Sequence, residues 1–219
     1  ATLAGQLGTM HGQFWQSPVY GDLDWAIDWT LPSLRLGIPI IQEGWPAVRK
    51  VWPDMAPVEI LDFFERTWIY DTETWLDRIA ERPWTMIHGD YEFDTIFVGV
   101  EGPVGLDWQT LMKSFPGGDL AWFLGLGASA ESIAEEGALL DVYRAALAAA
   151  GGPDWSRDEV LDDAAASLQF HCTSAVASLH GVIAAGAPAE DRTRQRFEKM
   201  VTGMMGCAER WQVVDRILD

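Results

Sequence analysis

Cysteine is nearly missing from this chain. Its 219 residues include two, Cys172 and Cys207, too few to staple a secreted scaffold of this size. Both fall in segments patterned like helix interiors, so both are expected to be reduced core residues. Lysine is almost as scarce, with Lys50, Lys113 and Lys199 as the only three. Fifteen basic residues face 33 acidic ones, for a net charge of -18. The chain therefore lacks the basic surface that a nucleic acid or an anionic membrane requires, and neither is expected as a partner. A cationic small molecule would be attracted instead. No apolar run reaches the ~18 residues that cross a bilayer. The opening ATLAGQLGTMHGQFW has neither the basic start nor the long apolar stretch of a secretion signal, so a cytoplasmic protein is the expectation. The absence of internal repeats and low-complexity tracts excludes solenoids and disordered linkers.

What remains is the composition of a folded domain, 48% hydrophobic and 22% charged, long enough to bury one sizeable core. Leu3, Leu7, Met10 and Phe14 recur at helical spacing and predict an opening helix that ends before Ser17-Pro18. Between Pro18 and Pro57 the prolines 32, 39, 46, 53 and 57 predict only short helical pieces separated by turns. Trp25, Trp29, Trp45 and Trp52 in this stretch are expected to pack. Glu59 to Ala80 reads as one long helix, with Ile60, Phe63, Phe64, Trp68, Leu76 and Ile79 as its apolar stripe and Arg82-Pro83 as its stop. The single β signal is TIFVGV (95–100), a Glu101-Gly102-Pro103 turn and VGLDW (104–108), a short hairpin. Asp119 stands where an N-cap would open the apolar helix LAWFLGLG. Further helices are predicted from Glu131 to Ala150, from a Ser156/Glu159 capping box to about His180, and through Phe197, Met200, Met204, Cys207, Trp211 and Val214. The expectation is one mainly α domain over 1–219, a helical bundle with one short hairpin. Residues 1–87 form a helical lead-in, 88–125 a motif region and 126–219 the C-terminal helices.

The motif region opens with IHGDYEFDTIF (87–97). Phosphoryl transfer needs a carboxylate to orient the attacking hydroxyl, and oxygen ligands that hold metal ions against nucleotide phosphates. Asp90, in His88-Gly89-Asp90, is placed like the first; Asp107, after the second hairpin strand, is placed like a metal ligand. Five residues beyond Asp90, in the slot for a second ligand, stands Thr95. His11, His171 and His180 have no evident partner constellation, and Glu92 and Asp94 read as solvated loop charges.

The order His-Gly-Asp, hairpin, Asp-Trp and Gly-Gly-Asp-Leu-Ala, all within 88–125, resembles the aminoglycoside phosphotransferase and choline kinase family of small-molecule kinases. The opening LGTMHGQFW (7–15) is similar to the helix that begins that family's C-terminal lobe. The resemblance implies a protein-kinase-like C-terminal lobe that uses ATP and Mg²⁺ to phosphorylate a hydroxyl of a small molecule. It implies Asp90 as the catalytic carboxylate, His88 as a catalytic-loop residue, Asp107 and the Thr95 slot as metal-binding positions, and Asp119 as the loop organiser. Two departures stand out. Thr95 replaces the usual Asn, and its short hydroxyl is a weaker metal ligand than an amide carbonyl. No glycine-rich loop and no strand lysine precede the motif, so the nucleotide-binding N-terminal lobe of the family is not expected in this chain. Weak or absent catalysis by this chain alone is the resulting expectation. The alternative is a catalytically inactive pseudokinase-type module that binds a ligand or a partner.

Overall fold

The computed structural model describes residues 1–28, 31–100, 102–126 and 130–218. The predicted opening helix is α1 (Thr2–Gln13), whose buried face runs through Ala4, Leu7, Gly8 and His11. It lies against α7 (Glu136–Ala149). The approach is so close that a Cβ on Gly8 would sit 2.2 Å from the Tyr143 carbonyl oxygen; only glycine fits there.

The proline-rich stretch departs from expectation. After the short strand β1 (Ile27–Asp28) it forms a single 21-residue helix, α2 (Leu31–Val51), with Pro39 and Pro46 inside it. An interior proline costs a hydrogen bond and crowds the carbonyl four residues back. Those carbonyls belong here to Arg35 and Gln42, exposed residues that water can reach. The opposite face buries Ile41, Trp45 and Val48, and burial of side chains of this size is worth about 1.5–3 kcal/mol each, enough to offset the prolines. Trp45 and Trp52 pack as expected, whereas Trp25 is exposed. Trp29 lies outside the described residues.

The long helix expected from Glu59 to Ala80 is broken into α3 (Val58–Glu65), a π-helical turn (Arg66–Tyr70) and α4 (Thr72–Ala80). The Thr67 hydroxyl donates to the Phe63 carbonyl at 2.9 Å and the Thr72 hydroxyl to the Trp68 carbonyl at 2.7 Å, a type of back-bonding that bends helices. The wider turn stacks Trp68 on Phe64, with ring centroids 4.7 Å apart, and sets it edge-on to Trp45.

Two small sheets complete the motif region, not one hairpin alone. The hairpin is present as β3 (Ile96–Gly99) and β4 (Gly102–Gly105), antiparallel. A second, three-stranded sheet pairs β5 (Met112–Ser114) parallel to β1 and antiparallel to β2 (Thr85–Ile87). Its strands of two or three residues are too short to show an alternating pattern, which is why periodicity does not reveal them. The register matters for function: Ile87 faces Met112, which brings the start of the His-Gly-Asp loop alongside Thr110.

Helix α5 (Gly117–Leu126) begins two residues before Asp119, so Asp119 lies inside the first turn and is not the N-cap. The helix predicted from Glu131 divides at Glu135 into α6 (Ala130–Ala134) and α7. The capping box opens α8 (Arg157–Ala184): the Ser156 hydroxyl accepts from the Glu159 N–H and Glu159 reaches back to the Ser156 N–H. Helix α8 is the central column, packed by α2, α5 and α9 (Arg192–Arg210). Val160, Ala164, Leu168, Cys172, Ala175, Val176 and Leu179 form its buried stripe at spacings of three and four. Cys207, on α9, is buried as well, and neither thiol is bonded to another sulfur. Burial pushes the Cys207 thiol up to about 12, so it stays protonated. The chain breaks at Gln212, where φ is +53°, before α10 (Val213–Leu218). Among the described residues no helix is long and apolar enough to cross a membrane.

Candidate active site

The His88-Gly89-Asp90 loop leaves β2 and turns sharply. Gly89 has φ +83°, and a Cβ there would stand 2.4 Å from the Thr110 carbonyl oxygen. Glycine thus answers both the left-handed backbone and the lack of room. The loop is held from below by Asp119, which is fully buried. One carboxylate oxygen accepts from the His88 backbone N–H and the other from the Gly89 N–H, both at 2.8 Å. The His11 Nε2–H donates to the same carboxylate at 3.2 Å, and His11 Nδ1 meets the Tyr143 hydroxyl at 2.9 Å. Burial alone would raise the pKa of Asp119, but the His11 hydrogen bond and charge and the two backbone donors hold it below the usual carboxylate range.

His88 is fixed by its own bonds. Its Nε2–H donates to the Leu106 carbonyl at 2.7 Å, and its Nδ1 accepts from the Asp90 N–H at 3.3 Å. Both ring nitrogens are therefore engaged, which fixes the orientation of the imidazole. Trp108 packs on it with centroids 4.6 Å apart, and the Thr110 hydroxyl donates to the His88 carbonyl at 2.9 Å. His88 thus ties the loop to the hairpin's end.

Asp90 is half-buried and stands at a cavity of about 530 Å³ that it shares with Gly89, Thr110, Trp122 and residues of α9. Desolvation raises its pKa above the ordinary value, Arg196 and His88 oppose this, and the negative charges of Asp107 and Asp119 add to it. Asp107 is therefore within electrostatic reach of Asp90. It lies exposed just past β4 in a left-handed conformation, φ +63°, at the start of a short 3₁₀ turn.

The structure brings His88, Asp90 and Asp119 into one loop assembly, with Asp107 beside it and outside the residues that line the cavity. Thr95 is turned into the loop. Its hydroxyl donates to the Asp90 carbonyl at 2.8 Å, shared with the Glu92 carbonyl at 3.0 Å, and accepts from the Glu92 N–H at 3.3 Å. Glu92 is not a solvated charge: it is buried and bonds Arg196 at 2.8 Å.

Some residues of the assembly escape a reading of the sequence. His11 was expected to have no partner, yet it props Asp119. Its position four residues beyond Leu7, on the buried stripe of α1, is a usable signal, because a histidine buried there needs a hydrogen-bonding partner. Asp163 has no such signal. It is fully desolvated on α8, which raises its pKa, and it accepts from the Gly117 N–H at 2.7 Å with Arg82 3.4 Å away. It thereby secures the first turn of the helix that carries Asp119. His171, also without an expected partner, packs its ring edge-on against Trp122.

These features define a class: a mainly helical domain that uses a buried carboxylate to hold a His-Gly-Asp loop at the edge of a cavity. The chain belongs to the phosphotransferase enzyme family, whose family model matches residues 3–161. The match spans α1 through the motif region and stops near the start of α8, in accord with the resemblance to aminoglycoside phosphotransferases and choline kinases. Searches of curated proteins and of solved structures returned no match.

Proposed function

We propose that this protein is a kinase-like small-molecule phosphotransferase, with Asp90 as the carboxylate that receives the acceptor hydroxyl. The observation that carries the reading is the Asp119 clamp, which sets the backbone of His88 and Gly89 so that Asp90 faces a cavity of ligand size, with Asp107 in electrostatic reach. Asp90 accepts a hydrogen bond from the acceptor hydroxyl and takes its proton as the oxygen attacks phosphorus. A carboxylate whose pKa is raised is better suited to that transfer than an ordinary one. Trp122, Phe197 and Met200 give the cavity an apolar side against which the acceptor's body can rest.

The exposed carboxylate of Asp107 suits magnesium. Mg²⁺ is typically held by one or two carboxylates, with water and substrate phosphates completing the shell. Among the described residues no group of three or more His, Cys, Asp or Glu side chains could hold a metal ion; in this reading the ion would be shared with ATP. Asp107 would hold that ion, and bound magnesium neutralises the charge of the phosphates during transfer. The reading includes a cytoplasmic location, where ATP and magnesium are both at hand.

The test is transfer of labelled γ-phosphate from ATP to a panel of small hydroxyl compounds, with magnesium-dependent nucleotide binding followed by calorimetry. Asp90→Asn should abolish transfer and keep nucleotide affinity, while Asp107→Ala should lose the magnesium-dependent part of that affinity. Equal magnesium-dependent affinity in Asp107→Ala would refute the metal assignment. One observation favours a second reading, an inactive ligand-binding module: the Thr95 hydroxyl is engaged by the loop backbone and offers little to a second metal ion. Binding of ligands without transfer would decide for it.

A further inference from the structure

We infer that the cavity in front of Asp90 takes an acceptor bearing an anionic group beside its hydroxyl, with Arg192 and Arg196 as the counter-charges. The hydroxyl half of this statement rests on the phosphotransferase reading; the anion half rests on the cavity itself. Arg192 and Arg196 are one helical turn apart on α9 and both line the cavity, next to Trp122, Phe197 and Met200. Residues four apart share a helix face, so the two guanidiniums present one cationic wall.

Arg192 has no hydrogen-bond or ion-pair partner among the described residues. Its neighbours on α9 differ: Arg194 pairs with Glu198 at 2.9 Å and Arg196 with Glu92 at 2.8 Å. In a chain with 33 acidic and 15 basic residues, an arginine left unspent beside a cavity runs against the general balance. Arg196 adds to the wall without being consumed, because its bond to Glu92 uses one of the five N–H donors of a guanidinium. The buried Glu92 also anchors it, which reduces the entropy a ligand must overcome on fixing it. A forked, weakly hydrated cation matches a carboxylate or phosphate better than an ammonium does.

The net charge of the whole chain predicts a cationic acceptor, and the local field points the other way. An ammonium in this cavity would meet two guanidiniums, whereas an anion at the arginine end leaves the hydroxyl free to face Asp90. Asp90 repels the anion, so the two ends of the acceptor are sorted by charge. Trp122, Phe197 and Met200 fit an apolar or aromatic body between them. The arginine wall lies beyond residue 161, where the family match ends.

The experiment uses three matched probes with the full chain: 4-(2-hydroxyethyl)benzoate, its neutral amide, and 4-(2-hydroxyethyl)benzylamine. Binding is measured by calorimetry at low salt without nucleotide. The benzoate should bind at least about tenfold more tightly than the benzylamine, a difference of about 1.4 kcal/mol. Arg192→Gln should erase that preference, and Arg192→Lys should keep part of it; circular dichroism verifies that both remain folded. A benzylamine that binds as well as the benzoate, or an Arg192→Gln variant with unchanged preference, overturns the assignment. Asp90→Asn separates the two readings, because it should retain or strengthen benzoate binding while removing phosphoryl transfer. Benzoate preference with no transfer to any acceptor refutes the phosphotransferase reading and upholds the anion site. Transfer to the benzylamine with no benzoate binding overturns the anion site alone.

Discussion

Asp119→Ala should destabilise the whole domain and loosen the loop that carries Asp90. The wild-type carboxylate is fully buried and accepts from the His88 N–H, the Gly89 N–H and His11. Alanine leaves two backbone donors and a histidine without an acceptor in a site water does not reach. A buried donor left unsatisfied costs about 1–3 kcal/mol, and breaking a buried ionic arrangement from one side costs about 3–5 kcal/mol. The two routes agree on about 4 kcal/mol, a large share of the 5–15 kcal/mol typical of a domain. In urea, with a slope of about 2 kcal/mol per molar, the midpoint should fall by about 2 M at constant slope. Asp119→Asn should cost about half as much, since one carbonyl oxygen still accepts while the amide NH₂ opposes a donor. The same residue sets an acid limit. Its folded pKa lies below the unfolded value of about 3.9, so its contribution is present above that value and disappears as pH falls through the lower, folded one. Wild type should therefore lose stability steeply below about pH 4, and Asp119→Asn should lose that part of the slope. A midpoint shift under about 0.3 M in Asp119→Ala, with His88 and Gly89 amides as protected from hydrogen exchange as in wild type, would refute the clamp.

Gly89→Ala should lower the melting temperature by at least about 5 °C, because φ +83° is strained for alanine and its Cβ would overlap the Thr110 carbonyl; an unchanged melting temperature would contradict the loop geometry. Arg196→Gln should move the Asp90 carboxyl further upward in a carbon-detected NMR titration, since Arg196 favours the ionised form. A downward shift would show that Arg196 acts on Asp90 in some other way. Thr95→Val should cost about 1–2 kcal/mol through loss of the hydroxyl that bonds the Asp90 carbonyl, and it should change magnesium-dependent nucleotide affinity less than twofold. A tenfold loss of that affinity would mean that Thr95 reaches the metal ion.

Local chemistry made several parts of this protein legible from sequence. The capping box at Ser156 and Glu159 and the apolar periodicity of α1 and α9 each act within a few positions of chain, so spacing alone reveals them; the hairpin was legible too, although Gly102 and Pro103, expected in its turn, belong to β4. The His-Gly-Asp loop and its downstream Asp-Leu-Ala were legible for the same reason, being short motifs with a fixed order. Other features depended on what the folded chain places nearby. Pro39 and Pro46 could stay inside α2 because the opposite face found a core for Trp45 and Val48, an outcome that intrinsic propensity opposes. The short strands β1, β2 and β5 exist through pairing between segments as much as 85 residues apart, and no three-residue pattern encodes that. The network His11–Asp119–His88, the prop from Asp163 and the arginine wall on α9 join helices from both ends of the chain. Net charge averages over the whole surface and is read from sequence; only the tertiary structure sets Arg192 and Arg196 beside Asp90 at one cavity, because a local charge arrangement depends on which helices pack together.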